Sequence, residues 1–186
     1  MLSGIRGRRE RREQASRLYE TIVAQSRLSV FYAYHGVPDT MLGRYEMVCL
    51  HAYLVLTRLK RDGEGRLAQT LHDLIFDDFD IALREAGLGD MGIGHRIKKL
   101  ARNLHGRISV YERGLSKGDA ELAVILRRNM YESADPTDQQ VESMMIYLRA
   151  ARAAIDEGSI ATVVTAGPRF VTPAAFVGAS SGEAVE

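Results

Sequence analysis

The amino-acid sequence predicts an all-α protein, folded as a single compact bundle of about six helices. The 186 residues fit one domain, and 46% of them are hydrophobic, so a sizeable core can be buried. Apolar residues recur at intervals of three and four over long stretches, which is typical of amphipathic helices. Glycine and proline interrupt the pattern between those stretches and indicate the connections.

The first half of the chain is predicted to contain three helices. The first covers residues 8–27, where apolar side chains recur at helical spacing. A connector rich in aromatic residues follows at 28–39, because glycine and proline interrupt the pattern there. The second helix covers residues 40–60 and ends at the glycine-rich turn of residues 62–65. The third covers residues 66–86.

The second half is predicted to contain three more helices. The fourth begins at Met91 or Ile93 and runs to Leu115, with a regular apolar stripe. The fifth covers residues 119–131. The sixth covers residues 136–157 and opens with a proline, which suits the first turn of a helix.

These elements divide the chain into three parts. Residues 1–13 form a basic N-terminal extension, residues 14–157 a helical domain, and residues 158–186 a flexible or extended tail rich in small residues. The extension lacks the apolar core of a secretory signal, and Glu10 and Glu13 interrupt its arginines, unlike a mitochondrial transit peptide. We therefore expect the protein to stay where it is made.

Composition argues against several classes of function. The single cysteine, Cys49, excludes an intrachain disulfide and a cysteine-based zinc site. The net charge of +1 creates no general attraction for nucleic acid or membranes, and we expect no DNA partner. No Ser-His-Asp or Cys-His arrangement is readable, so the sequence does not support nucleophilic catalysis. We expect neither enzymatic activity nor a cofactor.

The glycine-rich segment from Gly87 to Gly92 matches the pattern G-x-G-x-x-G. A dinucleotide site requires a strand before these glycines and a βαβ unit around them, whereas the third predicted helix precedes them here. We interpret the segment as a helix–helix turn in which one glycine is the C′ residue. An enzyme that binds a nucleotide at this turn is the alternative interpretation.

An acidic cluster on the third helix could suggest metal ligands. Asp73, Asp77 and Asp80 fall on one face of the helix at 100° per residue. No Glu-x-x-His pair accompanies them, so a di-iron bundle is unsupported. We interpret the aspartates as a solvated face and predict no metal site.

Four polar residues interrupt the apolar stripes of the second and third helices. Arg44, His51 and Arg58 are spaced by seven residues, and Asp78 lies within the stripe of the third helix. An unpaired buried charge costs several kcal/mol, so these groups require partners or an opening to solvent. One interpretation is an interhelical ion pair of Asp78 with Arg44 or Arg58. The other is a polar-lined groove of all four residues that receives a segment of a partner protein. A lone histidine on an apolar stripe is more often a satisfied core residue than a haem ligand.

The fourth predicted helix carries a one-sided basic surface. No acidic residue lies on it between Met91 and Tyr111. A helix face that carries only positive charges binds anionic lipid, RNA or an acidic partner more readily than a face of mixed charge. Aromatic residues that would stack on bases do not alternate with the basic ones. The predicted basic surface comprises Arg96, Lys98, Lys99, Arg102 and Arg107.

Two parts of the sequence resemble the ubiquinol–cytochrome c chaperone family, and the resemblance extends over residues 14–150. The first part joins the end of the connector to the apolar second helix, within residues 37–59. The second part begins with an aromatic and acidic stretch at residue 76 and continues through the glycine-rich turn to the basic residues that end at 107. The matching residues are Val37-Pro38-Asp39-Thr40, Gly43-Arg44-Tyr45-Glu46, His51 to Leu59, Phe76-Asp77-Asp78-Phe79-Asp80, Leu83-Arg84-Glu85, Gly87 to Gly94, Arg96-Ile97-Lys98-Lys99 and Gly106-Arg107.

The resemblance implies a non-enzymatic assembly factor for the cytochrome bc1 (ubiquinol–cytochrome c reductase) complex. Such a chaperone binds newly made cytochrome b and keeps it competent for assembly. The family acts in the bacterial cytoplasm or at the cytoplasmic face of the inner membrane, or in the mitochondrial matrix if the source is eukaryotic. The ribosome and an anionic membrane surface are further partners that the basic residues indicate. The alternative is a helical module that binds ribosomes, RNA or a membrane surface without a cytochrome b client.

Overall fold

The chain folds as a bundle of α-helices arranged around one central helix. The computed structural model describes residues 2–85, 87, 92, 95, 99, 104–132 and 134–179, and within these ranges it contains no strand. The predicted all-α class is therefore confirmed. The elements are α1 (Leu2–Ser26), α2 (Ser29–Ala33), α3 (Met41–Arg61), α4 (Gly65–Glu85), α5 (Leu104–Lys117), α6 (Asp119–Asn129), α7 (Asp138–Glu157), α8 (Ile160–Ala166) and a 3₁₀ helix (Pro173–Phe176).

Helix α3 is the centre of the bundle. Between Tyr45 and Leu59 every residue except Thr57 is buried. A helix that is apolar on nearly all sides must be covered on all sides, and α1, α4, α5 and α7 all pack against α3. Its N-cap is Thr40, whose Oγ1 accepts the third backbone N–H of the helix at 3.1 Å.

Helix α1 begins earlier than predicted and includes the basic extension. Arginine and glutamate are good helix formers, and the exposed pair Arg9–Glu13 joins Nε to Oε1 at 2.9 Å across one turn. The connector predicted at 28–39 contains the short helix α2, which buries Phe31. The N-terminal boundary at residue 13 is thus not a boundary of secondary structure.

The predicted tail is partly wrong, because residues 158–179 are structured. Ser159 caps α8 by accepting the N–H of Thr162 at 3.1 Å, and the 3₁₀ helix follows. Composition made this segment look irregular, yet Val163 is buried, and Phe170 and Phe176 pack against the core. Tertiary burial thus orders a segment with weak local signals. Residues 180–186 lie outside the described part.

The glycine-rich turn follows a helix, as expected. Gly87 has a φ of +66° and donates its N–H to the carbonyl of Arg84 at 3.0 Å, so it is the predicted C′ glycine after α4. Residues 88–91 lie outside the described part, as do the predicted starts of the fourth helix at Met91 and Ile93. No helix in the described ranges is long and apolar enough to cross a membrane.

Candidate partner-binding groove

The four residues predicted to line one groove lie in different environments. His51 is completely buried and Arg58 is only 5% exposed, whereas Arg44 and Asp78 are exposed. The predicted ion pair is also wrong, since each charge has another partner. Arg44 Nε pairs with Asp39 at 2.6 Å, Arg58 Nε pairs with Asp62 at 2.5 Å, and Asp78 accepts the hydroxyl of Tyr19 at 2.5 Å.

His51 joins α3 to α1 and α7. Its Nδ1 lies 2.8 Å from the carbonyl oxygen of Met47 and 3.0 Å from Oγ of Ser26, and its Nε2 lies 2.6 Å from the hydroxyl of Tyr147. The carbonyl can only accept, so Nδ1 carries the proton and Nε2 accepts from the tyrosine. Gln25 donates to the same hydroxyl at 3.0 Å. His51 is therefore a satisfied core residue, as the apolar stripe around it suggested.

Burial also determines the charge of His51. Desolvation lowers the pKa of His51 to about 4, and the backbone hydrogen bond with Met47 compensates only in part. The imidazole is thus neutral at physiological pH. His51 holds two helices against α3 and does not present a charge to a partner.

Arg58 stabilises the C-terminal end of α7. Its Nη1 donates to the carbonyl of Ile155, and its Nη2 donates to the carbonyl of Gly158 at 2.7 Å. The last carbonyls of a helix lack intrahelical partners and carry the negative end of the helix dipole. A guanidinium placed there satisfies both requirements. Arg58 is consequently a packing residue, not part of an open groove.

The open groove lies at the other end of α3. Two adjoining cavities of about 570 and 430 Å³ share Arg27, Asp39 and Arg44. One extends over the end of α1 and over α2, and the other extends between α3 and the end of α4. We call these cavities together the Arg44 groove. The apolar wall of the groove, in the cavity between α3 and α4, consists of Met41, Tyr45, Val48, Phe79, Ala82 and Leu83.

Local geometry keeps the edge of the Arg44 groove in place. A Cβ at Gly43 would lie 2.0 Å from the carbonyl oxygen of Pro38, so only glycine allows the chain before α3 to pack so closely on the helix. Asp39 and Thr40 then lie at the rim. The hydrogen bond from Arg44 lowers the pKa of Asp39, so the two form a charged pair at the junction of the cavities.

The charged residues that line the Arg44 groove, Arg27, Asp39 and Arg44, sum to one positive charge. Arg44 is paired with Asp39, while Arg27 has no ion pair within the described ranges. Asp78, which precedes Phe79 of the apolar wall, is bonded to Tyr19 and is not among the lining residues. The groove therefore combines apolar surface with cationic groups at its centre, an arrangement that suits an apolar segment carrying a carboxylate.

The predicted basic surface is only partly within the described residues. Arg96, Lys98 and Arg102 lie outside them, and Lys99 is exposed. Arg107 points inward: its Nη2 donates to Oε1 of Glu46 at 2.6 Å, and its side chain is 14% exposed. Including Arg107 in the basic surface was wrong, because the buried carboxylate of Glu46 takes up its charge.

Glu46 is an important residue that the prediction missed. It is 1% exposed on α3, and burial raises its pKa to about 7 although Arg107 lowers it. Its Oε2 has no hydrogen-bond partner in the described part of the chain. Glu46 is the single acidic residue among positions 41–61, which was the available sequence signal. Nothing in the sequence indicated that Tyr147 would meet His51.

The acidic cluster of α4 lies on the surface, as predicted. Asp73 and Asp77 are exposed, and Asp80 pairs with Arg84 one turn later. Among the residues that the structure describes, no group of three or more histidine, cysteine, aspartate or glutamate residues could bind a metal ion. These aspartates are thus part of a solvated helix face.

Comparison with known proteins gives a consistent family match. The family model for ubiquinol-cytochrome C chaperone matches residues 33–170. Ubiquinol-cytochrome c reductase complex assembly factor 1 of Mus musculus is 23% identical over 137 residues, which are 73% of this chain and 46% of the mouse protein. The Xenopus laevis protein of the same name is 20% identical over 137 residues, 73% of this chain and 68% of that protein. This chain thus spans less than half the length of the mouse relative.

A solved structure is similar over nearly the whole chain. The crystal structure of the Cbp3 homolog from Brucella abortus is 35% identical in sequence, with a TM-score of 0.77. The match covers 94% of this chain and 98% of that one. The family model covers the lining of the Arg44 groove apart from Arg27, Ser29 and Tyr32, which precede position 33.

Proposed function

The chain belongs to the ubiquinol–cytochrome c chaperone family, and from that premise we propose that it assists assembly of the cytochrome bc1 complex by binding newly made cytochrome b. The family match over residues 33–170 is the observation that carries this proposal. The names of the two curated relatives, both complex assembly factors, support it. The chaperone acts by holding its client, without a catalytic step.

The Arg44 groove is the proposed site for the client. Its apolar wall between α3 and α4 would cover side chains of a membrane protein segment that has not yet inserted, which removes apolar surface from water. Arg27 and Arg44 would attract a carboxylate or the negative C-terminal end of a client helix. A helix placed in a groove in this way is a common mode of recognition.

His51 and Arg58 contribute indirectly to this function. They tie α1 and α7 to α3 through buried hydrogen bonds, and the Arg44 groove is lined by α3 and by Arg27, the residue that follows α1. A preorganised groove loses less conformational entropy on binding than a flexible one. We therefore assign client contact to the exposed end of α3 and groove positioning to its buried part.

The test is affinity capture of the tagged protein from its own cells, with cytochrome b measured by mass spectrometry. The groove variant is Arg44→Glu. Its control is Arg149→Glu, because the pair Arg149–Asp119 resembles the pair Arg44–Asp39 in side-chain exposure, 41%/58% against 47%/56%. We expect wild type and Arg149→Glu to recover cytochrome b and Arg44→Glu to recover at least about tenfold less, since tenfold corresponds to about 1.4 kcal/mol.

Two outcomes would contradict the proposal. Absence of cytochrome b from the wild-type eluate, with ribosomes or lipid present, would favour the module without a cytochrome b client. Equal recovery with both variants would exclude the Arg44 groove as the client site. Melting curves of both variants must match wild type, so that a loss of client is not a loss of fold.

A further inference from the structure

A C-terminal strap crosses the bundle on the side where His51 is buried. We define the strap as residues 167–178, which begin and end with glycines of positive φ, +90° and +75°. It follows α8 and is irregular apart from the 3₁₀ helix Pro173–Phe176. Arg169 is its one charged residue, and between Phe170 and Val177 it contains none. The strap is thus a mostly apolar, irregular peptide between two conformationally permissive glycines.

The surface beneath the strap is an aromatic shelf built from four elements. The ring of Phe170 meets the ring of His51 edge-on, with centroids 5.1 Å apart, and the ring of Phe176 lies 6.0 Å from that of Tyr147. His35 and Phe31 complete the shelf around Tyr147, at 6.4 and 5.0 Å. The two phenylalanines of the strap therefore occupy separate aromatic positions, six residues apart in sequence.

Few polar interactions hold the strap to the shelf. Its carbonyls accept from Gln25 at 3.1 Å, from Gln139 at 3.3 Å and from Nε2 of His35 at 3.1 Å. These are the hydrogen bonds that the strap accepts from side chains within the described ranges. Within the strap, backbone N–H groups donate only to carbonyls a few residues earlier in the chain, as Ala175 does to Thr172.

The strap also borders an open cavity. This cavity, of about 810 Å³, lies between the strap, α8 and the end of α7, and Phe170, Val171 and Phe176 line it on the strap side. Side chains that face an open cavity have no protein packing partner on that side. A segment held by few hydrogen bonds opens at lower free energy than the core. These features favour local opening of the strap.

We propose that the strap is displaceable and that the shelf beneath it is a second binding surface for an apolar client segment with two aromatic side chains. The strap shows what fits there: an irregular peptide, uncharged from Phe170 to Val177, whose two aromatic rings reach the His51 and Tyr147 positions. Main-chain carbonyls of the incoming segment take over the bonds from Gln25 and His35. The client's identity rests on the proposed function, whereas displacement of the strap does not.

Thiol labelling tests whether the strap opens. Ser143 is 2% exposed and bonds through His35 to the carbonyl of Pro173, so its conversion Ser143→Cys places a thiol under the strap with little change in volume. Native Cys49, buried in α3, is the internal reference that only wider unfolding exposes. We expect the new thiol to react with DTNB at least about tenfold faster than Cys49. Equal rates would overturn the proposal.

A peptide in trans tests the shelf as a binding surface. The probe is a fluorescent peptide of residues 168–179, and the full-length variant is Phe170→Ala/Phe176→Ala, which loosens the strap without removing it. Val177→Ala is the control, since Val177 is on the strap but 41% exposed. We expect the double variant to bind the peptide at least about tenfold more tightly than wild type and Val177→Ala. Equal binding, or strap exchange between two copies as a dimer, would overturn the proposal. If cytochrome b were not the client, both strap experiments would still give their expected results.

Discussion

Replacing Glu46 by glutamine should stabilise the protein at alkaline pH. The carboxylate lies inside the bundle, where burial opposes its ionisation more strongly than Arg107 favours it. Raising the pKa from 4.5 to about 7 corresponds to about 3 kcal/mol, because each pKa unit is about 1.4 kcal/mol. At pH 8 the group is charged in both the folded and unfolded states, so the folded state bears this full cost. Glutamine removes the charge and still offers an oxygen to Arg107.

The pH dependence has a definite sign. Between about pH 4.5 and 7 the folded state retains the proton of Glu46 and the unfolded state has lost it. The stability of wild type therefore falls as the pH rises through this window, while the glutamine variant lacks this contribution. Urea denaturation at pH 5, 6, 7 and 8 should show a difference that grows from about 1 kcal/mol at pH 5 to about 3 kcal/mol at pH 8.

A control and a contrary result complete this test. Glu112 accepts hydrogen bonds from Tyr53 and Arg152, which lower its pKa in spite of partial burial. Glu112→Gln should therefore destabilise, and its loss should shrink as the pH falls through the folded-state pKa of Glu112. If Glu46→Gln is less stable than wild type at pH 8, then the attraction to Arg107 outweighs burial and our explanation is wrong.

Three further substitutions examine the packing around α3. Arg58→Ala should cost about 3 kcal/mol by urea denaturation, since it leaves the carbonyls of Ile155 and Gly158 at the end of α7 without their donor. Arg61→Ala, at a more exposed pair, should cost much less. His51→Leu should cost about 1–3 kcal/mol, because the buried tyrosine hydroxyl loses its acceptor; a neutral result would mean that water replaces the imidazole. Gly43→Ala should lower the melting temperature and reduce recovery of cytochrome b together, because a Cβ would collide with the carbonyl of Pro38 at the groove edge; an unchanged melting temperature would show that the edge yields.

Local patterns in the sequence explain the prediction of the fold. The apolar run of α3, the amphipathic stripe of α4 and the proline at the start of α7 are all local signals. The prediction missed α8 and the 3₁₀ helix, because their order depends on contacts with distant elements. Gln25, for example, bonds Val171 across 146 positions in the chain. A composition of small residues cannot reveal such a contact.

The candidate site was harder to predict than the fold. The spacing by seven correctly placed Arg44, His51 and Arg58 on one side of α3, but spacing says nothing about what covers that side. In the structure α7 covers the C-terminal end of α3 at Arg58, and α1 and α7 cover its middle at His51. The N-terminal end at Arg44 remains open. How deeply each residue of a central helix is buried depends on the neighbouring helices, and only the three-dimensional arrangement shows where those lie.

The polar residues of α3 also suggest why an apolar central helix carries them at all. Glu46 and Tyr53 form hydrogen bonds with residues of α5. His51 forms one with Tyr147 of α7, and Arg58 forms one with the C-terminal end of α7. Each would be left unsatisfied if a neighbouring helix shifted by one turn, which costs more than the loss of an apolar contact. We infer that these groups fix the register of the helices around α3. Arg44 differs, since its partner Asp39 is only five positions away. Among the described residues, the first turn of α3, which holds Arg44, has no polar side-chain bond to a distant element, and this is the end where we propose that the client binds.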